Sequence, residues 1–337
     1  MNAGLAYPQT ILNAPAFPVW GRVVYRTLQY HGVDAEKAFE SAGLSSDILW
    51  SNVGSERTWT YEMWFGALRL GYRELGSSFP VLLSKTTGLA MYPMMEKIIA
   101  TAPSLTLIYD MFEGWQQELE PLLSMTQHKV RGNAWVCMDY KLRGRVLEAF
   151  AMTAAQMCVN LARSTAGHEV DAHVFVNFPD VHDNFKAWSD FHGVPMTYKE
   201  TQKSTIAVSL PEAVMTQPAV GSDPSGFIAA RDKYYEAVEE LISGTYKADL
   251  VDFAATIMMT AQNQFTRERI CEELGVSTKH YSAAIAARGM THQQFVDACN
   301  KRRIDEMKGL GYNDQKCCEN LGFNDNRKLK RLMERVS

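Results

Sequence analysis

The chain has 337 residues, of which 46% are hydrophobic and 21% charged, a balance that excludes a disordered chain and predicts packed cores in about two domains. Its 34 basic and 38 acidic residues leave a net charge of −4, which excludes a uniformly basic nucleic-acid coat. The charge is unevenly spread: from Gln264 onward 14 Lys/Arg face 10 Asp/Glu, a net of +4, so the rest of the chain carries −8.

Met1–Pro18 has no Lys or Arg and is broken by Pro8, Pro15 and Pro18, so no signal peptide is expected there. Trp20, Val23, Val24 and Leu28 then recur at helical spacing up to Gly32, and a second short helix closes over Phe39–Gly43. Tyr61–Leu75 reads as an amphipathic helix through Trp64, Phe65, Leu68 and Leu75. Pro93–Ala100 and Ser104–Glu120 continue the pattern, with Ser104 as N-cap after Pro103. The period changes at Thr126–Val130 and Ala134–Tyr140, which flank Arg131-Gly132-Asn133 and predict a β-hairpin.

A long helix is expected over Arg145–Ala166. Its most apolar part, Leu147–Ala162, contains Glu148, Gln156 and Asn160 and falls short of a membrane span. Val170–Asn177 alternates as a strand, with Ala172, Val174 and Val176 on one face and His173, Phe175 and Asn177 on the other. Asp180–His192 reads as helix, and Val194–Lys199 and Thr205–Leu210 as strands. Ala219–Gly226, small, polar and aperiodic, is the best linker candidate. Phe227–Ile242 and Asp249–Gln262 open an entirely helical remainder.

That remainder contains two short helix–turn–helix patterns. In the first, Arg267–Leu274 leads through Gly275-Val276 to Ser277, which caps a helix running to about Ala287. Tyr281, Ala284 and Ile285 form its inner face; Lys279, Ser282, Ala283 and Ala286 point outward. Thr291–Lys308 connects to the second unit, where Asp314–Leu321 and Gly322-Phe323 precede a helix starting near Asp325. Its apolar stripe, Leu329, Leu332, Met333 and Val336, falls at i, i+3, i+4 and i+7. Arg327 and Arg331 lie opposite, flanked by Lys330 and Arg335, and such a helix suits a DNA major groove. The candidate DNA contacts are therefore Arg327, Lys330 and Arg331 in the second unit, and Ser277, Lys279 and Ser282 in the first.

Residues from about Thr266 to Ser337 resemble the paired helix–turn–helix module of the AraC/XylS family of transcriptional regulators. Leu274-Gly275-Val276-Ser277, Tyr281 (usually Leu in the family), Gly289, Leu321-Gly322-Phe323-Asn324-Asp325 and Arg331 carry the likeness. Gly32-Val33-Asp34, Ser41-Ala42-Gly43-Leu44 and Ala102-Pro103-Ser104-Leu105 resemble the arabinose-binding-type sensor domain of one branch. So do Phe178-Pro179 and Phe191-His192-Gly193-Val194-Pro195-Met196.

The resemblance implies an α+β sensor and dimerisation domain over 15–215, a linker at 216–226 and an all-α DNA-binding domain at 227–337. Within the latter it implies helix–turn–helix units at about 267–287 and 314–336, joined by a connecting helix at about 291–308. The partners it implies are double-stranded promoter DNA, a small effector, RNA polymerase and a second copy of the chain. The chain departs from the family at Arg327, Leu329, Met333 and Glu334, and at Ala283 and Asn300, where basic residues are common. A decayed module that acts through a protein partner is the competing expectation.

Six scattered cysteines among 17 Met point to a reducing cytoplasm, and Cys317-Cys318 reads as a buried structural pair. His168 and His173 lack metal-ligand spacing, and no phosphate loop, nucleophile elbow or carboxylate pair stands out. No metal, cofactor or enzymatic activity is therefore expected. Tyr92, Tyr109, Trp115 and Trp135 are the aromatic candidates for lining an effector cavity, and ordinary core is the competing reading for each.

Overall fold

The computed structural model describes residues 16, 19–44, 59–87, 93–119, 123–140, 142, 144–200, 203–243, 250–251, 254–255, 258, 266–273, 276–309 and 311–336. The fold mixes helices with a single five-stranded sheet among the described residues. Contacts divide it into two units: Met1–Leu44 with Thr58–Tyr246, and a second that includes Lys247–Ser337. Among the described residues no helix is long and apolar enough to cross a membrane.

The first unit opens with α1 (Val19–Tyr30), α2 (Ala35–Ser41) and α3 (Tyr61–Leu75), the last spanning the predicted residues and capped by Thr60. Helix α4 (Phe79–Thr86) has no counterpart among the predicted elements. Its Phe-Pro-Val-Leu-Leu run lacks a polar face because the helix is buried almost all round. Helices α5 (Pro93–Thr101) and α6 (Leu105–Leu119) follow, and Ser104 Oγ accepts the Leu107 N–H at 3.4 Å.

Strands β1 (Leu123–Val130) and β2 (Asn133–Tyr140) pair in register from Leu123 opposite Tyr140 to Val130 opposite Asn133. The turn is two residues long, not three: Arg131 and Gly132 take φ of 52° and 79°, the type I′ pattern that matches strand twist. Helix α7 (Gly144–Ala166) packs on α4, and its Ala149, Ala151, Ala155 and Ala162 are fully buried, small enough to let the helices approach closely.

Next come β3 (His173–Val176), α8 (Asn184–His192), β4 (Met196–Tyr198) and β5 (Ile206–Pro211), giving the sheet order β1-β2-β5-β3-β4. The pairings are antiparallel except β3 with β4, which the α8 crossover makes parallel. Asp180 does not begin a helix: its carboxylate accepts the N–H groups of Asn184 and Phe185 and so organises the start of α8. Met125, Ala134, Val136, Met138, Val174, Val176, Ile206, Val208 and Leu210 form the buried face of the sheet.

The expected linker 216–226 lies inside the first unit. Helix α9 (Glu212–Thr216) ends where it begins. The Ala219 N–H then bonds to Pro103 O at 3.1 Å, Val220 to Thr165 O at 3.0 Å and Asp223 to Thr101 O at 2.9 Å. Helix α10 (Pro224–Ser243) continues within the same unit. Small polar residues suit both a free tether and a strap whose N–H groups are taken up by neighbours, and composition does not separate the two.

Several buried polar groups in this unit are matched by partners. Glu148 receives Asn184 Nδ2 at 2.7 Å, and Tyr72 OH donates to Arg145 O at 2.5 Å. His192 Nε2 lies 3.1 Å from Ser84 Oγ, while Arg163 donates to the His192 carbonyl at 2.8 Å. Burial, helped by the charges of Arg163 and Lys85, pushes the His192 imidazole down to about 3 from 6.5. As pH falls below 6.5, the unfolded chain takes up a proton that the folded one refuses. Stability should therefore drop by on the order of 1 kcal/mol per pH unit toward pH 3. Urea midpoints at pH 7 and pH 5, followed by tryptophan fluorescence, check this. His192→Gln should shrink the difference, and an equal pH loss in both proteins would refute the assignment.

Candidate nucleic-acid interface

The second unit is built on two pairs of short helices and a long helix that packs against both. The first pair is α11 (Arg267–Glu273) and α12 (Thr278–Ala287); Leu274 and Gly275 lie outside the described residues. Helix α13 (His292–Gly309) comes next, then α14 (Asp314–Leu321) and α15 (Asn326–Val336). The helix predicted over Asp249–Gln262 lies mostly outside the described residues, although Val251, Ala254 and Met258 are buried with Ile270, Cys271, Tyr281, Ile285, Phe295 and Cys299. Ile304 and Met307, near the other end of α13, are buried too, and that helix packs on α14 and α15.

Helix α12 buries Tyr281 and Ile285, and Tyr281 OH lies 3.0 Å from His292 Nδ1. Thr278, Lys279, His280, Ala283 and Ala286 are exposed and Ser282 partly so, leaving Lys279 as the lone cation on that outer face within the helix. Ser277 Oγ accepts the His280 N–H at 3.2 Å, which makes it the N-cap. Ser277→Ala should accordingly cost about 1 kcal/mol of stability in denaturant melts. An unchanged midpoint would show that the hydroxyl is not holding the helix start.

Helix α14 is capped by Asn313 and ends at Gly322, whose left-handed φ of 65° lets its N–H reach the last carbonyls. Buried Arg303 donates to Asn320 O at 2.9 Å, tying α13 to that end. Asp325 Oδ1 accepts the Arg327 and Lys328 N–H groups at 2.8 and 3.2 Å and starts α15. Those backbone bonds, Lys328 foremost, hold the Asp325 carboxyl below its usual range. Cys318 Sγ lies 3.2 Å from Asn326 Oδ1, and burial pushes the Cys317 and Cys318 thiols up, as suits packed, protonated groups.

On α15, Leu329 and Leu332 are buried, whereas Arg327, Lys328, Lys330 and Arg331 are all exposed. Arg327 and Arg331 lie on the midline opposite the leucines, with Lys330 to one side and Lys328 to the other. Lys328 escaped selection from the sequence although the same helical arithmetic places it symmetrically with Lys330. Arg335 has another task. It grips Asp297 on α13 with two bonds of 2.8 and 2.9 Å, and Gln293 adds a third at 2.9 Å. Burial opposes the Asp297 charge, but these donors outweigh it and hold the carboxyl below its usual range.

The cations of this unit thus divide. Lys301 pairs with Asp305 at 2.6 Å, Lys308 pairs with Asp314, and Arg335 pairs with Asp297. Among the described residues no ion pair involves Lys279, Arg327, Lys328, Lys330 or Arg331. Four of these five stand within five residues of one helix, so the positive potential is concentrated on one face of α15.

The two described aromatic candidates of the first unit, Tyr109 and Trp135, do not converge. Tyr109 is 1% exposed, and burial with Cys158 beside it raises its hydroxyl well above the ordinary value. Trp135 stands on the other, partly exposed face of the sheet, stacked on Phe175 at 5.4 Å. Tyr92 and the Trp115 side chain lie outside the described residues.

No family model matches the sequence, and no curated protein matches it. One solved structure, described as the transcriptional regulator CdpR from Pseudomonas aeruginosa, is similar at 12% identity and a TM-score of 0.37. The match covers 77% of this chain and 83% of that one. A likeness at that level leaves function to be argued from the residues.

Proposed function

We propose that this chain is a DNA-binding regulator of transcription of the AraC/XylS type. The pairs α11–α12 and α14–α15 act as two helix–turn–helix units that enter successive major grooves, about one helical turn apart. The single observation behind this reading is the face of α15: Arg327, Lys328, Lys330 and Arg331 are exposed and outside any described ion pair, while other cations of the unit are neutralised by carboxylates. Arginines on the midline suit guanine edges, and the flanking lysines suit phosphates. The first unit binds a small effector in the cytoplasm, the chain works as a homodimer, and RNA polymerase is the downstream partner. The effector regulates only if it binds one arrangement of the protein better than another. No turnover is part of this reading, and conversion of a tested metabolite by the full chain would overturn that element.

The test is capture of fragmented genomic DNA from the source organism, sequenced after recovery, with Arg327→Ala/Arg331→Ala as control. A few enriched sites that the double mutant loses support the proposal. Uniform or absent capture overturns it.

One observation favours a second reading, in which the module docks on a protein. The outer face of α12 is small and nearly neutral, with Thr278, Ser282, Ala283 and Ala286 beside Lys279 alone. Salt separates the two, because a surface that displaces counterions from phosphates loses affinity steeply as salt rises and a protein interface does not.

A further inference from the structure

We propose that Asp297 and Arg335 are positioning residues: their pair fixes the angle between helices α12 and α15, and so sets which separation of two half-sites the chain accepts on DNA. The inference rests on the DNA-binding reading above and deepens it by naming what holds the two contact faces in register.

It starts from the row of arginines on α15. Arg327, Arg331 and Arg335 follow one another at steps of four residues, and each step advances about 40° round an α-helix. The row therefore winds off the outer face. Arg327 and Arg331 are in no described ion pair, whereas Arg335 closes on α13. Its Nε donates to Asp297 Oδ2 at 2.8 Å and its Nη2 to Oδ1 at 2.9 Å. Two parallel bonds fix the direction of the guanidinium as well as its distance.

The acceptor is itself held in place. Asp297 is 5% exposed, and Gln293, one turn earlier on α13, donates to its Oδ1 at 2.9 Å. An ion pair between two mobile surface side chains contributes little. Here one partner is buried, so removing the other leaves a buried carboxylate short of its donors.

The place of Asp297 along α13 gives the pair its leverage. Phe295 and Cys299 lie two residues to either side and share a face, about 200° round the helix from Asp297. That face is buried with Tyr281 and Ile285 of α12, and the Phe295 and Tyr281 rings meet edge-on at 6.4 Å. One stretch of α13 thus holds the first recognition helix on one side and the end of the second on the other.

Six residues further on, Arg303 donates to Asn320 O at 2.9 Å and fastens α14. Two attachments about 9 Å apart along α13 keep the second pair of helices from swinging, where one alone would be a pivot. Apolar packing through Leu329 and Leu332 does not do this as sharply, since crossing angles set by ridges and grooves scatter by about 15–20°. A scatter of that size is about half the turn of roughly 34° that one base pair adds between half-sites.

The test uses the full chain and a duplex recovered by capture, with one or two base pairs inserted between the two half-sites of one chain. The native chain should bind each altered duplex about tenfold more weakly or worse. Asp297→Asn, which sets an amide N–H against a guanidinium donor, should bind the original duplex more weakly yet lose most of that preference. It should bind a duplex with the α15 half-site alone as the native chain does. A merely destabilised protein would lose all these duplexes alike. Arg335→Lys, which keeps the charge but not the fork, should fall between.

A second readout needs no DNA. Spin labels at Ala283→Cys and Lys328→Cys, in a chain whose partly exposed Cys137 is replaced by Ser, should give a narrow distance distribution that Asp297→Asn broadens. An unchanged spacing preference in Asp297→Asn overturns the proposal, and so does an unchanged distance distribution. A native chain that captures no DNA overturns the DNA-binding reading and the spacing claim with it, while the distances still decide whether the pair holds the two helices.

Discussion

Alanine at both Arg327 and Arg331 should reduce affinity for a captured DNA site by about 1–3 kcal/mol per arginine that reads a base edge. Both side chains sit at the midline of the exposed face of α15, and its buried leucines fix that face outward. Neither arginine supports the fold through an ion pair among the described residues, so the loss should appear in binding and not in thermal stability. Fluorescence anisotropy over a salt series adds a second readout. Lys330→Ala should weaken all sequences about equally and flatten the salt slope by roughly one phosphate contact. Arg335→Ala should behave in the opposite way. It leaves the Asp297 carboxylate short of its main donor and loosens α15 from α13 before it affects any DNA contact. Unchanged affinity in the double mutant would mean that another surface binds the DNA.

Gly71→Ala should destabilise the first unit by about 1–3 kcal/mol. Helix propensity alone predicts the reverse sign, since Gly inside a helix costs about 1 kcal/mol relative to Ala. The reversal comes from Phe79. Its ring is fully buried and covers the Gly71 backbone so closely that a methyl group there would overlap three ring carbons. Tyr72 meets the same ring edge-on at 5.1 Å, which leaves it little room to move. Thermal melts should show a fall of several degrees, partly recovered when Phe79→Leu is added. A higher melting temperature for Gly71→Ala alone would show that α3 and α4 do not meet in this way.

Much of the local structure was legible in the residues themselves. Tyr61–Leu75 and Asp314–Leu321 have the predicted bounds, and Ser104 and Ser277 cap the helices expected of them. Signals of this kind are local: a period of 3.6, a capping hydroxyl, a glycine at a helix end. Val174 and Val176 turn inward and His173 and Phe175 outward as alternation requires, although the strand itself is shorter than Val170–Asn177. Helix α4 left no such trace, because a helix wrapped by other elements needs no polar stripe.

The candidate site divides in the same way. The outward positions of Lys279, Ser282, Arg327, Lys330 and Arg331 follow from helical periodicity and agree with their exposure. The distinction between a cation left open to solvent and one spent on a carboxylate does not. Arg335 and Asp297 are 38 residues apart, and only the packing of α15 on α13 brings them together. Tertiary structure likewise turned the expected linker into a strap on the first unit, because the N–H groups of Ala219, Val220 and Asp223 find carbonyls far away in sequence. Periodicity and capping are written in neighbouring residues, so the sequence by itself determined most helices, the hairpin and the arginine face of the last helix. Ion pairing, chain anchoring and the aromatic face of the sheet depend on groups that meet only across the fold, and only the fold could decide them.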